Sequence, residues 1–133
     1  MDTFYEEDIL GEGFQRTTLS LRDDYEGSAV ATLVRRLSDT GNGRSVLYIH
    51  GFNDYFFQRE MACRLNERSF HFYALDLRKY GRSWLSHQKF NDIRDIRVYF
   101  EEITLALQMI REEGSRTTVL LGHSTGGLIV TLL

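Results

Sequence analysis

Ser124, in the run Gly122-His123-Ser124-Thr125-Gly126, is the residue of this chain with the clearest chemical potential. A G-x-S-x-G string that follows an apolar run and opens a helix sets its serine on a sharp strand-to-helix turn, where the hydroxyl stands clear of the backbone. Gly122 and Gly126 flank it for a steric reason: so tight a turn brings backbone together where a Cβ would clash. The chemistry such a serine can perform is nucleophilic attack on an acyl carbon. The Thr125 backbone N–H, at the first turn of the following helix, would face the position where a tetrahedral oxyanion develops. A second donor is expected from the loop after the Val46 to Ile49 strand, and the Phe52 backbone N–H is the candidate. A hydroxyl of this kind also needs a base within hydrogen-bond reach. The four histidines are His50, His71, His87 and His123, and none follows Ser124. His123 should leave the turn in another direction from the serine. His50, with Gly51, reads as a hydrogen-bonded histidine in a strand-ending turn. His50, Gly51, Gly122, His123 and Gly126 are therefore expected to support the turn.

Positioning these groups requires strands that end where they begin. Thr17 to Leu21 alternates in polarity, Asp23 to Gly27 is turn-like, and Val30 to Leu37 is β-branched and apolar, which together predict an antiparallel hairpin. Ser45 to Ile49 is almost continuously apolar, the habit of a strand buried on both faces of a parallel sheet. Phe57, Met61, Ala62 and Leu65 recur at helical spacing across 57–67, and Phe70 to Leu77 predicts a second apolar strand that ends at Asp76. Asp92 is a candidate N-cap for a long helix whose Ile93, Ile96, Phe100, Ile103, Leu107 and Ile110 recur at steps of three and four, with Gly114 closing it. That stripe is too short for a coiled coil and is expected to pack on its own sheet. Thr117 to Leu121 predicts the last strand and Thr125 to Leu133 a final helix. Two successive crossovers imply a parallel sheet with helices on its faces, and ligands in such sheets bind beyond the carboxyl ends of the strands. His50-Gly51-Phe52, Asp76 and Gly122 to Gly126 all fall at those ends. Tyr55, Phe56 and Phe57 serve either to anchor the helix that follows or to line an acyl pocket.

The 133 residues, 42% hydrophobic and 26% charged, suit one ordinary globular domain. A net charge of −3 with mixed signs provides no footprint for nucleic acid. The apolar runs are strand-sized, and the acidic start Met1 to Asp8 lacks the features of a secretory signal, so a cytoplasmic location is expected. The single cysteine, Cys63, reads as a packing residue on a helix, without a metal-ligand set around it, and no metal or cofactor is expected. Gly11-Glu12-Gly13 reads as a loop, since no strand precedes it as a phosphate cradle would require.

Three segments, Val46 to Phe52, Tyr73 to Ser83 and Leu120 to Gly127, resemble successive signatures of the α/β-hydrolase fold, closest to its serine aminopeptidase, lysophospholipase and monoacylglycerol-lipase-like branch. The resemblance runs from about residue 17 to the end. It implies a mostly parallel α/β sheet with an N-terminal antiparallel hairpin, Ser124 as nucleophile, and Phe52 and Thr125 as oxyanion donors. It also implies cleavage of a small ester or similar acyl substrate, lipid-like ones included, through a seryl acyl-enzyme. The loop Asp76 to Ser83 is expected to shape the sheet edge without a catalytic role. In the family the triad acid, a cap and the triad histidine all lie beyond the serine turn. The expectation is therefore a truncated α/β-hydrolase fold: residues 1–133 as the N-terminal part of a single domain, without cap or C-terminal strands, inactive or very weakly active alone. Its strand at Val119, central in the family order, would become an edge and lead to self-association unless a missing half covers it. The alternative is a catalytically silent binding or scaffold fragment that keeps the serine turn as architecture.

Overall fold

Alternating apolar side chains on adjacent strands divide the core into two layers, one on each face of a six-stranded sheet. The computed structural model describes residues 3–133; Met1 and Asp2 of the acidic start lie outside the described residues. The strands are β1 (Glu6–Glu7), β2 (Gln15–Ser20), β3 (Val30–Arg36), β4 (Arg44–Ile49), β5 (His71–Asp76) and β6 (Thr117–Gly122). Their spatial order is β1-β2-β3-β5-β4-β6. The sheet is mixed: β2 and β3 form the expected antiparallel hairpin, β3 runs antiparallel to β5, and β4 is parallel to both β5 and β6. The helices are α1 (Arg59–Glu67), α2 (Phe100–Glu112) and α3 (Thr125–Leu132).

Val46 and Tyr48 of β4, with Phe72 and Ala74 of β5, face α1 and pack on Phe56 and Ala62. Leu47, Ile49, Tyr73 and Leu75 face the other way, toward Ile103 and Ile110 of α2 and Ile129 of α3. Burying each such side chain contributes about 1.5–3 kcal/mol. The period-2 register thus sets helices on both faces, as the continuous apolar runs of β4 and β5 require.

Three local expectations are corrected. Asp92 is not a helix N-cap: its carbonyl accepts from Lys79 Nζ at 2.7 Å, and its carbonyl and carboxylate both accept from the Tyr25 hydroxyl at 2.9 Å. The helical segment instead starts through a 3-10 turn at Ile96–Tyr99, where the Asp95 carboxylate accepts from the Arg97 N–H at 2.9 Å. Phe57 lies before α1 and is exposed, while Phe56 is the buried anchor. Residues 1–16 show no sustained period in the sequence, yet β1 extends the sheet beyond β2. Gly114 follows α2 as expected, and its N–H donates to Arg111 O at 3.0 Å while that of Ser115 donates to Ile110 O at 3.3 Å.

Candidate active site

The chain passes from β4 to β5 on one side and then returns past β4 to place β6 on the other. Strand order reverses at β4, and the crevice beyond the carboxyl ends of β4 and β6 is where a sheet of this kind receives a ligand. Residues 50–53 leave β4 into that crevice and residues 123–125 leave β6 into it.

Ser124 has φ 56° and ψ −118°, outside the regions an L-residue ordinarily occupies, and is followed at once by α3. The packing that holds it there is backbone against backbone. A Cβ on Gly122 would lie 2.5 Å from Gly126 O, and one on Gly126 would lie 2.7 Å from His50 O and closer still to Ile49 O. A Cβ on Gly51 would meet Ser124 Cβ and His123 O at 3.2 Å, so the β4 loop runs directly beside the serine. The His123 N–H donates to Ile49 O at 3.1 Å, which continues the β4–β6 ladder up to the turn. Ser124 and His123 are exposed. Among the described residues Ser124 Oγ forms no hydrogen bond, and no turn or loop carbonyl accepts from the N–H of Phe52 or Thr125. The Ser124 hydroxyl and the N–H groups of Phe52 and Thr125 are thereby left without such partners beyond the ends of β4 and β6.

His50 is buried, and both ring nitrogens are engaged. Nδ1 donates to Gly51 O at 2.7 Å and Nε2 accepts from the Leu77 N–H at 3.0 Å, an assignment that requires the neutral ring. Burial holds its pKa below the ordinary histidine value, against the pull of the Gly51 bond and of Asp76 and Asp54. The ring lies 4.6 Å from that of Tyr80. His50 therefore joins the β4 loop to the β5 loop and has no lone pair left for a reacting proton. His71 opens β5 and accepts from the Ser38 N–H at 3.0 Å, while His87 lies on a loop with Nε2 2.9 Å from Ser28 O.

The β5 loop is where sequence reasoning fell short. Asp76, at its start, accepts from the Phe56 N–H at 2.8 Å through one oxygen and from the Arg82 guanidinium at 2.9 Å through the other. Arg82 also binds Asp8 at 2.7 and 2.9 Å. Arg78 is 1% exposed and binds the buried Glu102 with its side chain at 2.8 Å and its backbone N–H at 2.8 Å. Lys79 is likewise buried, 2.6 Å from both Asp24 and Glu26. Burial alone would lower the pKa of each cation, but the hydrogen bonds they donate to these carboxylates hold all three above their ordinary values. Burial alone would raise Asp8, but Arg82, the Leu10 N–H and Arg16 together outweigh it and depress the carboxyl. The loop is a structural clasp, which no local signal around residues 78–82 could reveal because its partners lie elsewhere in the chain.

A cleft of about 630 Å³ is lined by Arg22, Asp23, Arg97, Glu101 and neighbours on α2, and none of the serine-turn residues borders it. No group of three or more His, Cys, Asp or Glu among the described residues could hold a metal ion. No helix among them is long and apolar enough to cross a membrane.

Parallel strands with helices on both faces, an antiparallel hairpin at the start and a strained serine turn at the switch point define the α/β-hydrolase fold. Within it, residues 42–133 match the serine aminopeptidase S33 family, and the chain belongs to that family. Among solved structures it is similar to a thermostable carboxyl esterase from Bacillus coagulans (TM-score 0.68, 19% identity), of which it covers 38% with 86% of its own length. It is also similar to Est1E from Butyrivibrio proteoclasticus, solved with ferulic acid (TM-score 0.64, 18% identity, 78% of this chain and 43% of that one). A thioesterase domain from the curacin biosynthetic pathway is similar as well (TM-score 0.64, 23% identity, 88% of this chain and 40% of that one). These likenesses are of fold, and the chain spans about two fifths of each structure. No curated protein sequence matches the chain.

Proposed function

We propose that this chain is the nucleophile-bearing part of a serine hydrolase that cleaves small esters or related acyl compounds, lipid-like acyl chains among them. The observation that supports this most directly is Ser124 at φ 56°, held there by the close approach of Gly122 and Gly126 to neighbouring backbone. Strain of that order costs roughly 1–3 kcal/mol and is kept where it serves a purpose.

In this reading Ser124 Oγ attacks the acyl carbon and the Oγ–C bond forms as the hydroxyl proton passes to a base. The negative charge that gathers on the carbonyl oxygen is met by the N–H groups of Phe52 and Thr125. Collapse then breaks the bond to the leaving alcohol, which takes the proton from that base. Water attacks the acyl-enzyme by the same route in reverse and releases the acid. Each oxyanion donor supplies on the order of 2.7–4 kcal/mol of transition-state stabilisation in enzymes of this type. Since both nitrogens of His50 are engaged and no histidine binds Ser124 Oγ, the base and its orienting acid come from sequence beyond these residues or from a second chain. Residues 1–133 are then one part of a single hydrolase domain that works in the cytoplasm without a cofactor. Phe56 anchors α1, which leaves Tyr55 and Phe57, with rings 5.3 Å apart, as the exposed pair beside the oxyanion loop and available to an acyl group.

The bare Ser124 hydroxyl also favours a second reading, a binding or scaffold fragment that keeps the turn without turnover. A fluorophosphonate probe separates the two. Labelling of the folded chain that disappears in Ser124→Ala supports an activated nucleophile, whereas a folded sample that takes no label favours the silent reading.

A further inference from the structure

We infer that His50 and Ser83 are positioning residues for the oxyanion donor, joined to the Phe52 N–H by one continuous run of hydrogen bonds. The role rests on the reading of Phe52 as that donor, whereas the bonds are those of the folded chain. A trans peptide is a flat unit whose C=O and N–H point in opposite directions, so whatever holds the carbonyl also aims the amide. Every peptide among the described residues is trans. The Gly51 carbonyl and the Phe52 N–H are the two ends of one such unit. His50 Nδ1 donates to the carbonyl at 2.7 Å from a buried ring, which turns the Phe52 N–H away from that ring. Gly51 itself borders the serine turn, since a Cβ there would meet Ser124 Cβ at 3.2 Å.

Nδ1 can donate in only one neutral tautomer, and the choice is made at the other nitrogen. The Leu77 N–H donates to Nε2 at 3.0 Å, so Nε2 carries the lone pair and Nδ1 the proton. That N–H belongs to a second peptide unit, whose carbonyl is Asp76 O, and Ser83 Oγ donates to it at 2.5 Å. Ser83 is fully buried. All the bonds point one way: from the Ser83 hydroxyl through the Asp76–Leu77 unit to the imidazole, and from there through the Gly51–Phe52 unit. Aligned hydrogen bonds polarise one another in a low dielectric, so the last N–H is both aimed and strengthened as a donor. No proton changes place along the run.

Protonation of His50 interrupts the run at one link, because an Nε2–H would face the Leu77 N–H. The titratable groups around the ring are Asp54 on its own loop, Asp76 and Tyr80 on the β5 side, and His123 on the β6 loop, whose Nδ1 would lie 3.5 Å from a Cβ on Gly51. Helix α3, which passes the His50 carbonyl at Gly126, contributes none. Burial outweighs the pull of the Gly51 bond and of Asp76 and Asp54 and keeps the ring neutral at neutral pH, so the run opens only in acid.

NMR on the 133-residue chain, isotope-labelled in carbon and nitrogen, tests the run without a substrate. At about pH 8 the ring nitrogens should report the proton on Nδ1. As pH falls, the Gly51 carbonyl and Phe52 amide resonances should move with the His50 ring, at a midpoint below 6.5, while the amides of β2 and β3 hold their positions. Ser83→Ala should displace the Phe52 amide resonance from its parent position. His50→Gln keeps an acceptor for Leu77 and loses the donor to Gly51, and His50→Asn does the reverse. His50→Gln should therefore slow fluorophosphonate labelling of Ser124 by about 10²-fold, the effect of losing one oxyanion donor, and His50→Asn by less. Gly51 and Phe52 resonances that ignore the His50 titration, or a Phe52 amide unmoved in Ser83→Ala, would overturn the run, and equal labelling of the two His50 variants would overturn the positioning role. The titration uses the unmodified chain, so it decides even where a variant fails to fold. A parent chain that takes no label sinks the hydrolase reading alone, and the resonances still decide the run.

Discussion

The loop after β5 carries three cations, Arg78, Lys79 and Arg82, all inside the protein and all bound to carboxylates. The loop after β6 carries an exposed serine in a disfavoured backbone conformation, with a free hydroxyl. Both leave the carboxyl ends of adjacent parts of one sheet, and His50 stands between them, buried and with each nitrogen committed. In the first loop each of the three cations has a carboxylate partner, so its worth lies in fixing position. In the second the polar groups nearest the crevice are without partners, so they can act on something that arrives. A serine at φ 56° persists only where its surroundings leave it no alternative, here the backbone packed around Gly122 and Gly126.

That contrast can be broken most severely at Gly126. An added methyl in Gly126→Ala would meet carbonyl oxygens of Ile49 and His50, which are backbone and cannot swing aside. The expected destabilisation exceeds the ~1–3 kcal/mol usual for overpacking, read as a fall in the urea midpoint. Arg82→Ala comes next. It strands Asp8 and Asp76, both buried, and breaking one side of such a pair costs about 3–5 kcal/mol. A midpoint unchanged in Arg82→Ala would show that the clasp contributes nothing to stability.

A smaller effect belongs to pH. Because burial holds His50 below its ordinary value of 6.5, the folded chain binds fewer protons than the unfolded chain in the range beneath that value. Stability should then be complete above pH 6.5 and decline as pH falls toward the folded pKa, by at most ~1.4 kcal/mol per pH unit. His50→Asn should remove the slope in that window. Asp8, depressed by Arg82, acts in the same direction only further down, as pH falls through the carboxylate range. The smallest change sharpens the second loop: Ser124→Gly relieves the left-handed φ and should stabilise the chain by up to ~1 kcal/mol, while Ser124→Ala leaves stability unaltered. A Ser124→Gly chain no more stable than the parent would mean that the turn carries little strain.

Much of the scaffold was legible because its signals are local. The alternation in β2 and β3, the continuous apolar runs of β4 and β5 and the three-and-four spacing through Ile103 and Ile110 each report on a nearest-neighbour environment. The helix start misread at Asp92 shows where this fails. Asp92 has the chemistry of a cap, but Tyr25 and Lys79, distant in sequence, claim it first. Two-residue β1 is invisible for a related reason: Glu6 and Glu7 have no strand propensity, and their pairing depends on β2. At the candidate site the serine turn could be read from five residues, whereas the clasp could not, since Asp8 lies 74 positions from Arg82.

Those separations matter for how the chain comes to its native state. Arg78 waits for a partner 24 residues ahead, Lys79 for one 53 residues behind and Arg82 for one 74 residues behind. Contacts between distant segments form late, after the cost of closing long loops has been met. Until then the collapsing chain holds three unneutralised cations at the place where its β5 loop must bury them. The clasp closes only when the N-terminal segment, the hairpin turn and α2 have all arrived, so it joins three distant stretches of sequence in one place.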